Sequence, residues 1–181
     1  LGDRLAGVFA ETTPAKRLGT AYDGLERFRD TDADCLVAVG GGSSLDVAKI
    51  ISILAATDRD PAAVGQAFVD SGTIAVPETG LPPIVAVPTT LAGADLSIVA
   101  GVTAAPDTCP VDEPTSGGVG DPKLMPEAVC YDPELIATTP RSVLTASAMN
   151  GFDKGIETLY AATATPITDA TASRGLGRLT D

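Results

Sequence analysis

A glycine-rich turn is the segment of this sequence best suited to chemistry. Gly40, Gly41, Gly42 and Ser43 follow the apolar run Cys35–Val39 and precede a helical pattern. Glycines let the backbone approach a pyrophosphate closely, and the free N–H groups and dipole of a following helix favour its negative charge. The turn therefore predicts phosphate binding, with the serine hydroxyl as an added donor. The alternative is a tight turn in which serine caps the helix, since the spacing is not GxGxxG.

Two charged residues follow in the first turns of that helix. Asp46 lies where the helix dipole favours a carboxylate, so it is a candidate ligand contact or a cap partner. Lys49, one turn further on, either acts with it or pairs with it. The residues alone leave both alternatives open.

A second polar segment follows another apolar run. Pro83–Val87 has the length and composition of a buried strand, and Thr89, Thr90 and Gly93 come soon after it. Ligands of open α/β sheets bind at the carboxyl ends of the strands, so these hydroxyls are expected at the same edge as the glycine-rich turn. The alternative is a pair of threonines that caps a helix.

The composition excludes several classes of function. The 181 residues include 12 basic and 24 acidic side chains and no histidine, which gives a net charge of -12. That charge repels phosphate backbones and anionic headgroups, and no basic patch offsets it, so nucleic acid and membranes are excluded as partners. Without histidine, catalysis must use Asp, Glu, Lys, Ser, Thr or a cofactor. The acidity indicates either adaptation to high salt or an ordinary acidic protein.

No segment indicates export or a membrane span. Apolar runs stay well short of the roughly 20 residues that cross a bilayer, and no signal peptide opens the chain, so a soluble cytoplasmic protein is expected. The cysteines Cys35, Cys109 and Cys130 lack CxxC spacing and predict buried free thiols instead of disulfides or a metal site.

The elements that must position these residues follow an alternating pattern. Strands alternating with helices predict a Rossmann-like parallel sheet over residues 1–140. The predicted elements are a helix from Pro14 to Arg29, a strand Cys35–Val39, a helix capped by Ser43 or Ser44 and reaching Ala56, a helix Ala62–Phe68, a strand Pro83–Val87, an edge strand Ile98–Ala104, a loop Ala105–Lys123 and a strand Ala128–Tyr131.

Beyond Pro140 the pattern becomes helical. Ser142–Ala161 and Ile167–Leu179 predict two helices, the second started by Pro166, so residues 141–181 are assigned to the beginning of a second domain. Two helices cannot bury their apolar faces alone, and Leu1–Leu5 has the pattern of a helix end. We therefore expect further chain beyond both ends, including at least one earlier strand.

Several segments together resemble the iron-containing (group III) alcohol dehydrogenases, and within them the maleylacetate reductase branch. The resemblance covers nearly the whole chain and rests on GGGSSLDVAK, PTTLAGADLS, AVCYDPEL and a helix ending in IETLYA. It implies a Rossmann-like domain followed by an all-helical domain, with NAD or NADP and an alcohol or carbonyl substrate between them. It also implies a homodimer. The family's segment that selects NAD or NADP would precede Leu1.

The resemblance assigns nucleotide contacts residue by residue. Gly41, Gly42 and Ser43 match the pyrophosphate loop, which Gly40 opens, and Asp46 matches a polar residue near the nicotinamide. The second nucleotide loop is matched by the segment that contains Thr89, Thr90 and Gly93.

The sequence departs from the family at the metal site. Asn150 and Lys154 occupy the positions of a metal-binding Asp and His, and neither is a good ligand for iron or zinc. Maleylacetate reductases resemble this chain in having Asn there and work without metal. A shifted alignment would offer Asp153 and Glu157 instead. We hypothesise that Lys154 stabilises the developing alkoxide, and the alternative is a solvated lysine paired with a nearby acid.

The prediction is an NAD(P)-dependent, metal-independent oxidoreductase that interconverts an alcohol and a carbonyl compound, with Asp46, Asn150 and Lys154 as candidate catalytic residues. One alternative is an enzyme like glycerol-1-phosphate dehydrogenase or dehydroquinate synthase, which shares the glycine motif but uses a metal. The other is a nucleotide-binding protein without catalytic activity.

Overall fold

The computed structural model describes residues 2–180, apart from the side chain of Thr180, and divides the chain into two compact units. The first unit contains the residues up to Pro88 together with Ala94–Tyr131. The second contains Thr89–Gly93 and the residues from Asp132 onward. The sequence placed one boundary near Pro140; packing instead separates the units after Tyr131 and assigns the short segment after Pro88 to the second unit.

The first unit contains three α-helices and five strands. The helices are α1 (Leu18–Asp30), α2 (Gly42–Ala55) and α3 (Pro61–Ser71), and the strands are β1 (Leu36–Gly40), β2 (Ile84–Pro88), β3 (Val99–Ala104), β4 (Thr115–Gly120) and β5 (Ala128–Val129). Short 3-10 helices cover Gly2–Arg4, Ala94–Leu96 and Pro122–Leu124.

The strands form two separate sheets. The first is parallel in the order β1-β2-β5, with Leu36 opposite Ile84 and Gly40 opposite Pro88. The parallel α/β arrangement predicted from the alternating pattern is therefore confirmed. The second sheet pairs β3 with β4 antiparallel, from Val99 opposite Gly120 to Ala104 opposite Thr115.

Helix α2 is the centre of the first unit. Every residue from Leu45 to Leu54 is buried, and the helix contacts strands of both sheets. One apolar cluster joins it to α1, α3 and β3, and a smaller one joins it to β1 and β2 through residues such as Leu45 and Ala86. This packing fixes the direction of the helix whose N-terminus follows the glycine-rich turn.

Several predicted elements differ from the structure. Pro14 lies in a turn, and α1 begins only at Leu18. The strand predicted at Ile98–Ala104 is present but pairs in the second sheet, because the segment predicted as a loop contains its partner β4. All three cysteines are free thiols, but only Cys109 is buried; Cys130 is exposed and Cys35 is intermediate.

The second unit is helical over its described part. It contains α4 (Pro133–Ala137), α5 (Arg141–Tyr160) and α6 (Pro166–Thr180). The two long helices were predicted, including the proline that starts α6, whereas the short α4 was not. Helices α5 and α6 pack on each other. No helix in the described part of the chain is long and apolar enough to cross a membrane.

Candidate functional site

The glycine-rich turn joins the carboxyl end of β1 to the N-terminus of α2. Gly40 has φ 146°, a conformation that favours glycine, and a Cβ built there would lie 2.5 Å from Ser44 Oγ. The fold itself therefore requires this first glycine. Gly41 is different, because its φ of -81° and ψ of -173° are open to any residue.

The N-terminus of α2 has no side-chain cap in the described structure. Gly41 occupies the cap position and supplies no side chain, whereas Asp60 caps α3 and Asp132 caps α4. The predicted serine cap is wrong, since Ser43 and Ser44 lie within the helix and the Ser44 hydroxyl shares a 3.2 Å hydrogen bond with that of Thr12. The first N–H groups of this helix are thus uncovered by any capping side chain, which suits an anion.

Asp46 is held by a lysine that the sequence did not single out. Lys16 Nζ donates to Asp46 Oδ2 at 3.1 Å, and the two side chains are 32% and 12% exposed. Lys16 has φ 49°, and its main chain bonds to Thr13 and Thr103. A Cβ on Gly101 would lie 2.5 Å from its ammonium, so that glycine makes room for the pair. The Lys16 ammonium therefore lies next to the first turns of α2.

Lys49 does not make the ion pair with Asp46 that one alternative proposed. It is fully buried, and its ammonium donates to the carbonyl oxygens of Ala94, Ser97 and Val99 at 2.8, 2.5 and 3.1 Å. Burial lowers the pKa of Lys49, while the charges of Asp46 and Asp95 act to raise it. These contacts anchor α2 to the segment that precedes β3 and to the first residue of β3.

A tyrosine after β5 contacts the same segment. Tyr131 donates from its hydroxyl to Asp95 Oδ2 at 2.5 Å, and Asp95 is buried. This hydrogen bond, followed by burial and the carboxylate charge, raises the pKa of Tyr131 to about 12. The tyrosine of the AVCYDPEL motif is thereby bonded to the 3-10 helix Ala94–Leu96, whose first carbonyl oxygen also accepts from Lys49.

The second candidate loop, Thr89–Gly93, belongs to the second unit and is held there by its main chain. Thr139 Oγ1 donates to Thr89 O at 2.7 Å, and Leu91 N donates to Ser147 Oγ at 3.1 Å. Asn150 Nδ2 donates to Ala92 O at 2.8 Å. Gly93 ends the loop with φ 77°, so glycine is required there by conformation.

The remaining candidate residues lie on α5. Lys154 is exposed and contacts Glu157 Oε2 at 2.5 Å, one turn further along the helix, and this hydrogen bond raises its pKa. Glu157, offered with Asp153 by the shifted alignment, is therefore engaged by Lys154. The amide nitrogen of Asn150 donates to the carbonyl oxygen of Ala92 in the loop Thr89–Gly93.

Known proteins are similar to this chain in sequence and in fold. The family model for iron-containing alcohol dehydrogenase matches residues 1–133. The chain belongs to the iron-containing alcohol dehydrogenase family. It is 30% identical over 185 residues to maleylacetate reductase 1 of Cupriavidus pinatubonensis, covering 100% of this chain and 42% of the relative.

Further family relatives are also oxidoreductases. The chain is 31% identical over 170 residues to the NAD-dependent methanol dehydrogenase of Bacillus methanolicus, covering 93% of this chain and 41% of the relative. The crystal structure of maleylacetate reductase from Agrobacterium tumefaciens superposes with a TM-score of 0.71 at 25% identity, covering 96% of this chain and 40% of that chain. The chain thus spans less than half the length of these relatives.

The described residues do not by themselves form the iron site that the family name implies. In the region that the structure describes, no three His, Cys, Asp or Glu side chains gather as a metal site would require. The two positions that resemble family ligands hold an amide directed at a carbonyl and a lysine paired with an acid. No chemical step is therefore assigned to a metal here.

Proposed function

We propose that this family member is an NAD(P)-dependent oxidoreductase that interconverts an alcohol and a carbonyl compound without a metal. The observation that carries the proposal is the N-terminus of α2, which follows the parallel strand β1, has glycine at its cap position and lacks a capping side chain. That arrangement leaves N–H groups and a helix dipole for a dinucleotide pyrophosphate. The redox chemistry is inferred from the relatives, which are named as a reductase and an NAD-dependent dehydrogenase.

Each of the two units contains residues that we propose as contacts of the dinucleotide. Gly41, Gly42 and Ser43 would hold the pyrophosphate in the first unit, behind the turn that Gly40 makes. Asp46, oriented by Lys16, would meet the nicotinamide end of the cofactor. In the second unit, the loop that contains Thr89, Thr90 and Gly93 would supply the second nucleotide contact. When bound, the nicotinamide would accept or supply the hydride.

The proposal includes a reaction that uses no metal. The substrate oxygen develops negative charge during hydride transfer to a carbonyl, and a cation must stabilise it where no metal does. We propose Lys154 for this role and Asn150 as its neighbour on α5. A lysine is protonated at neutral pH at its ordinary pKa of 10.5, as the role requires, and the hydrogen bond to Glu157 raises the pKa of Lys154 further. The same contact with Glu157 also fits the alternative, a surface ion pair.

Dinucleotide binding is tested at a glycine whose backbone tolerates a side chain. Gly41→Ala should weaken NADH binding by about tenfold or more, because a methyl group would cover N–H groups that bond to charged phosphate. Gly120→Ala is the matched control, since a Cβ there makes an ordinary 3.6 Å contact with Val99. Fluorescence titration with NADH and NADPH gives both dissociation constants. Equal affinity in the two variants would refute binding at this turn.

Turnover separates the proposal from its alternatives. The natural gene product is assayed with NADH or NADPH and a panel of keto acids, aldehydes and phosphorylated carbonyl compounds, with and without a chelator. Turnover that resists the chelator supports the proposal. Chelator-sensitive turnover of phosphorylated substrates indicates the glycerol-1-phosphate dehydrogenase or dehydroquinate synthase class, and binding without turnover indicates a nucleotide-binding protein.

Assembly and location complete the proposal. The family resemblance supports a homodimer, and the acidic composition supports a protein that binds neither nucleic acid nor anionic membranes. We propose a cytoplasmic location, as expected from the sequence. Light scattering on the natural gene product measures its mass in solution. A monomer at micromolar concentration would contradict the dimer.

A further inference from the structure

Three side chains of the second unit hold the loop Thr89–Gly93 by its backbone. Thr139 and Asn150 donate to the carbonyl oxygens of Thr89 and Ala92, and Ser147 accepts from the N–H of Leu91. None of the three bonds uses the side chain of Thr89 or Thr90. The loop is therefore fixed while its two threonine side chains take no part in the anchoring.

We propose that Asn150 and Ser147 are positioning residues for this nucleotide loop, with Thr139 supporting its first residue. The inference rests on the proposed function, because it gives the loop a dinucleotide to meet. It changes the role of Asn150: its amide acts through Ala92, and it need not contact substrate or metal. The loop thus depends on α5 for its conformation, although in the chain it follows β2.

The chemistry of the amide group supports this assignment. A carbonyl oxygen accepts hydrogen bonds and cannot donate, so only the amide nitrogen of Asn150 can satisfy Ala92 O. A carboxylate at this position would have no proton to offer. Ser147 and Asn150 lie three residues apart on α5 and so share one face of the helix. A hydroxyl acceptor and an amide donor on that face match the N–H of Leu91 and the carbonyl of the next residue.

The test uses variants that remove one bond each without adding charge. Asn150→Leu keeps the approximate side-chain volume but removes the donor, and Ser147→Ala removes the acceptor for Leu91. Thr145→Val is the matched control, because its hydroxyl bonds to Arg141 O of the same helix and not to the loop. Each variant of the natural gene product is checked for an unchanged circular dichroism spectrum and melting temperature close to the wild type.

Two measurements are made on each variant. Amide hydrogen exchange reports the loop directly, and NADH titration with steady-state kinetics reports its consequence. We expect faster exchange at Leu91 and its neighbours and an NADH dissociation constant raised about 2- to 10-fold, the effect of one ordinary hydrogen bond. The loss should appear in the dissociation constant and the KM for NADH, whereas loss of a residue that contacts the reacting atoms would lower kcat at saturating NADH. Thr145→Val should change neither measurement.

Each outcome decides a separate question. Wild-type protein that fails to bind NADH or NADPH refutes the proposed function and with it the nucleotide role of the loop. Binding by the wild type with unchanged exchange at Leu91 in both variants refutes the anchoring. Faster exchange with an unchanged dissociation constant refutes the link between loop and nucleotide. A fall in kcat at saturating NADH returns Asn150 to the catalytic candidates.

Discussion

The ammonium group of Lys49 exchanges water for three main-chain carbonyl oxygens. Removing a charge from water is costly unless its hydrogen bonds are replaced, and the contacts with Ala94, Ser97 and Val99 replace them. The carbonyls depend on the lysine in return, since they lie around a fully buried side chain. Lys49 therefore stabilises the position of α2, and with it the glycine-rich turn.

Replacing this lysine should destabilise the fold. Lys49→Met keeps much of the side-chain length but leaves three carbonyl oxygens without their donor, so the free energy of unfolding should fall by about 2–4 kcal/mol. Urea unfolding followed by circular dichroism measures the change. Lys123→Met is a control, since Lys123 makes its contacts at the surface with Asp121 and Glu78. Equal stability of Lys49→Met and wild type would contradict the anchoring role.

The lowered pKa of Lys49 also predicts a pH dependence. Between that lowered pKa and the usual value of 10.5, the unfolded chain carries more protons on Lys49 than the folded protein does. The Lys49 contribution to the unfolding free energy should therefore rise with pH in this window. The difference in unfolding free energy between wild type and Lys49→Met, measured from pH 8 to pH 10.5, isolates this residue. A flat difference would show that burial does not perturb the ammonium.

Variants of Lys154 and of its ion-pair partner Glu157 separate the proposed catalytic role from a surface ion pair. If its ammonium stabilises the alkoxide, Lys154→Met should lower kcat by roughly 100-fold, the scale of one lost oxyanion contact. Glu157→Gln removes the ion pair but keeps the cation, so it should retain turnover. Steady-state kinetics on both variants separates the alternatives. Turnover unchanged in Lys154→Met would leave only the surface ion pair.

The strand that sequence patterns missed is β4. Its sequence, TSGGVG, lacks the alternation of a half-buried strand, and glycine weakens strand propensity. Glycine is nevertheless needed there, because a Cβ on Gly117 would lie 2.3 Å from Gly72 O and 2.7 Å from the ring of Phe68. The strand is defined by its pairing with β3 and by the close approach of Gly117 to the end of α3, neither of which local propensity encodes.

Gly117 is the glycine of β4 that leaves least room for a side chain. Gly117→Ala should lower the free energy of unfolding by about 1–3 kcal/mol, because a methyl group at this position overlaps a backbone oxygen that cannot move as a side chain can. Gly120→Ala, at the end of the same strand, makes an ordinary 3.6 Å contact and should cost much less. Thermal and urea unfolding of both variants checks the difference. Equal losses would indicate a general effect of glycine replacement in β4.

Across the whole molecule, short-range features were predictable and long-range contacts were not. The strands β1 and β2, α2, the long helices and the glycine-rich turn carry local patterns, and the family motifs lie on them. Lys16 reaches Asp46 across thirty positions, and Asn150 reaches Ala92 across fifty-eight. Nothing in their local sequence marks these partners. The serine cap failed for a related reason, since Gly41 takes the cap position and Ser44 bonds to Thr12 instead.

The net charge of -12 is the property of the whole molecule that predicts its response to salt. In the described part of the chain, basic side chains come within 4.0 Å of Asp46, Glu78, Asp107, Asp121 and Glu157, so most of the acidic side chains lack such a partner. Unpaired like charges destabilise the compact state through mutual repulsion. Salt should therefore stabilise this protein.

The melting temperature should rise between low and molar KCl. The Debye length falls from about 30 Å at 0.01 M to about 3 Å at 1 M, which removes most repulsion between surface carboxylates. Relief of about 1–2 kcal/mol corresponds to a rise of about 2–8 °C for a chain of this size. Differential scanning calorimetry in KCl, with sucrose of equal osmolality as the control, separates screening from exclusion of solutes. A melting temperature that stays constant, or that rises equally in sucrose, would contradict adaptation to high salt.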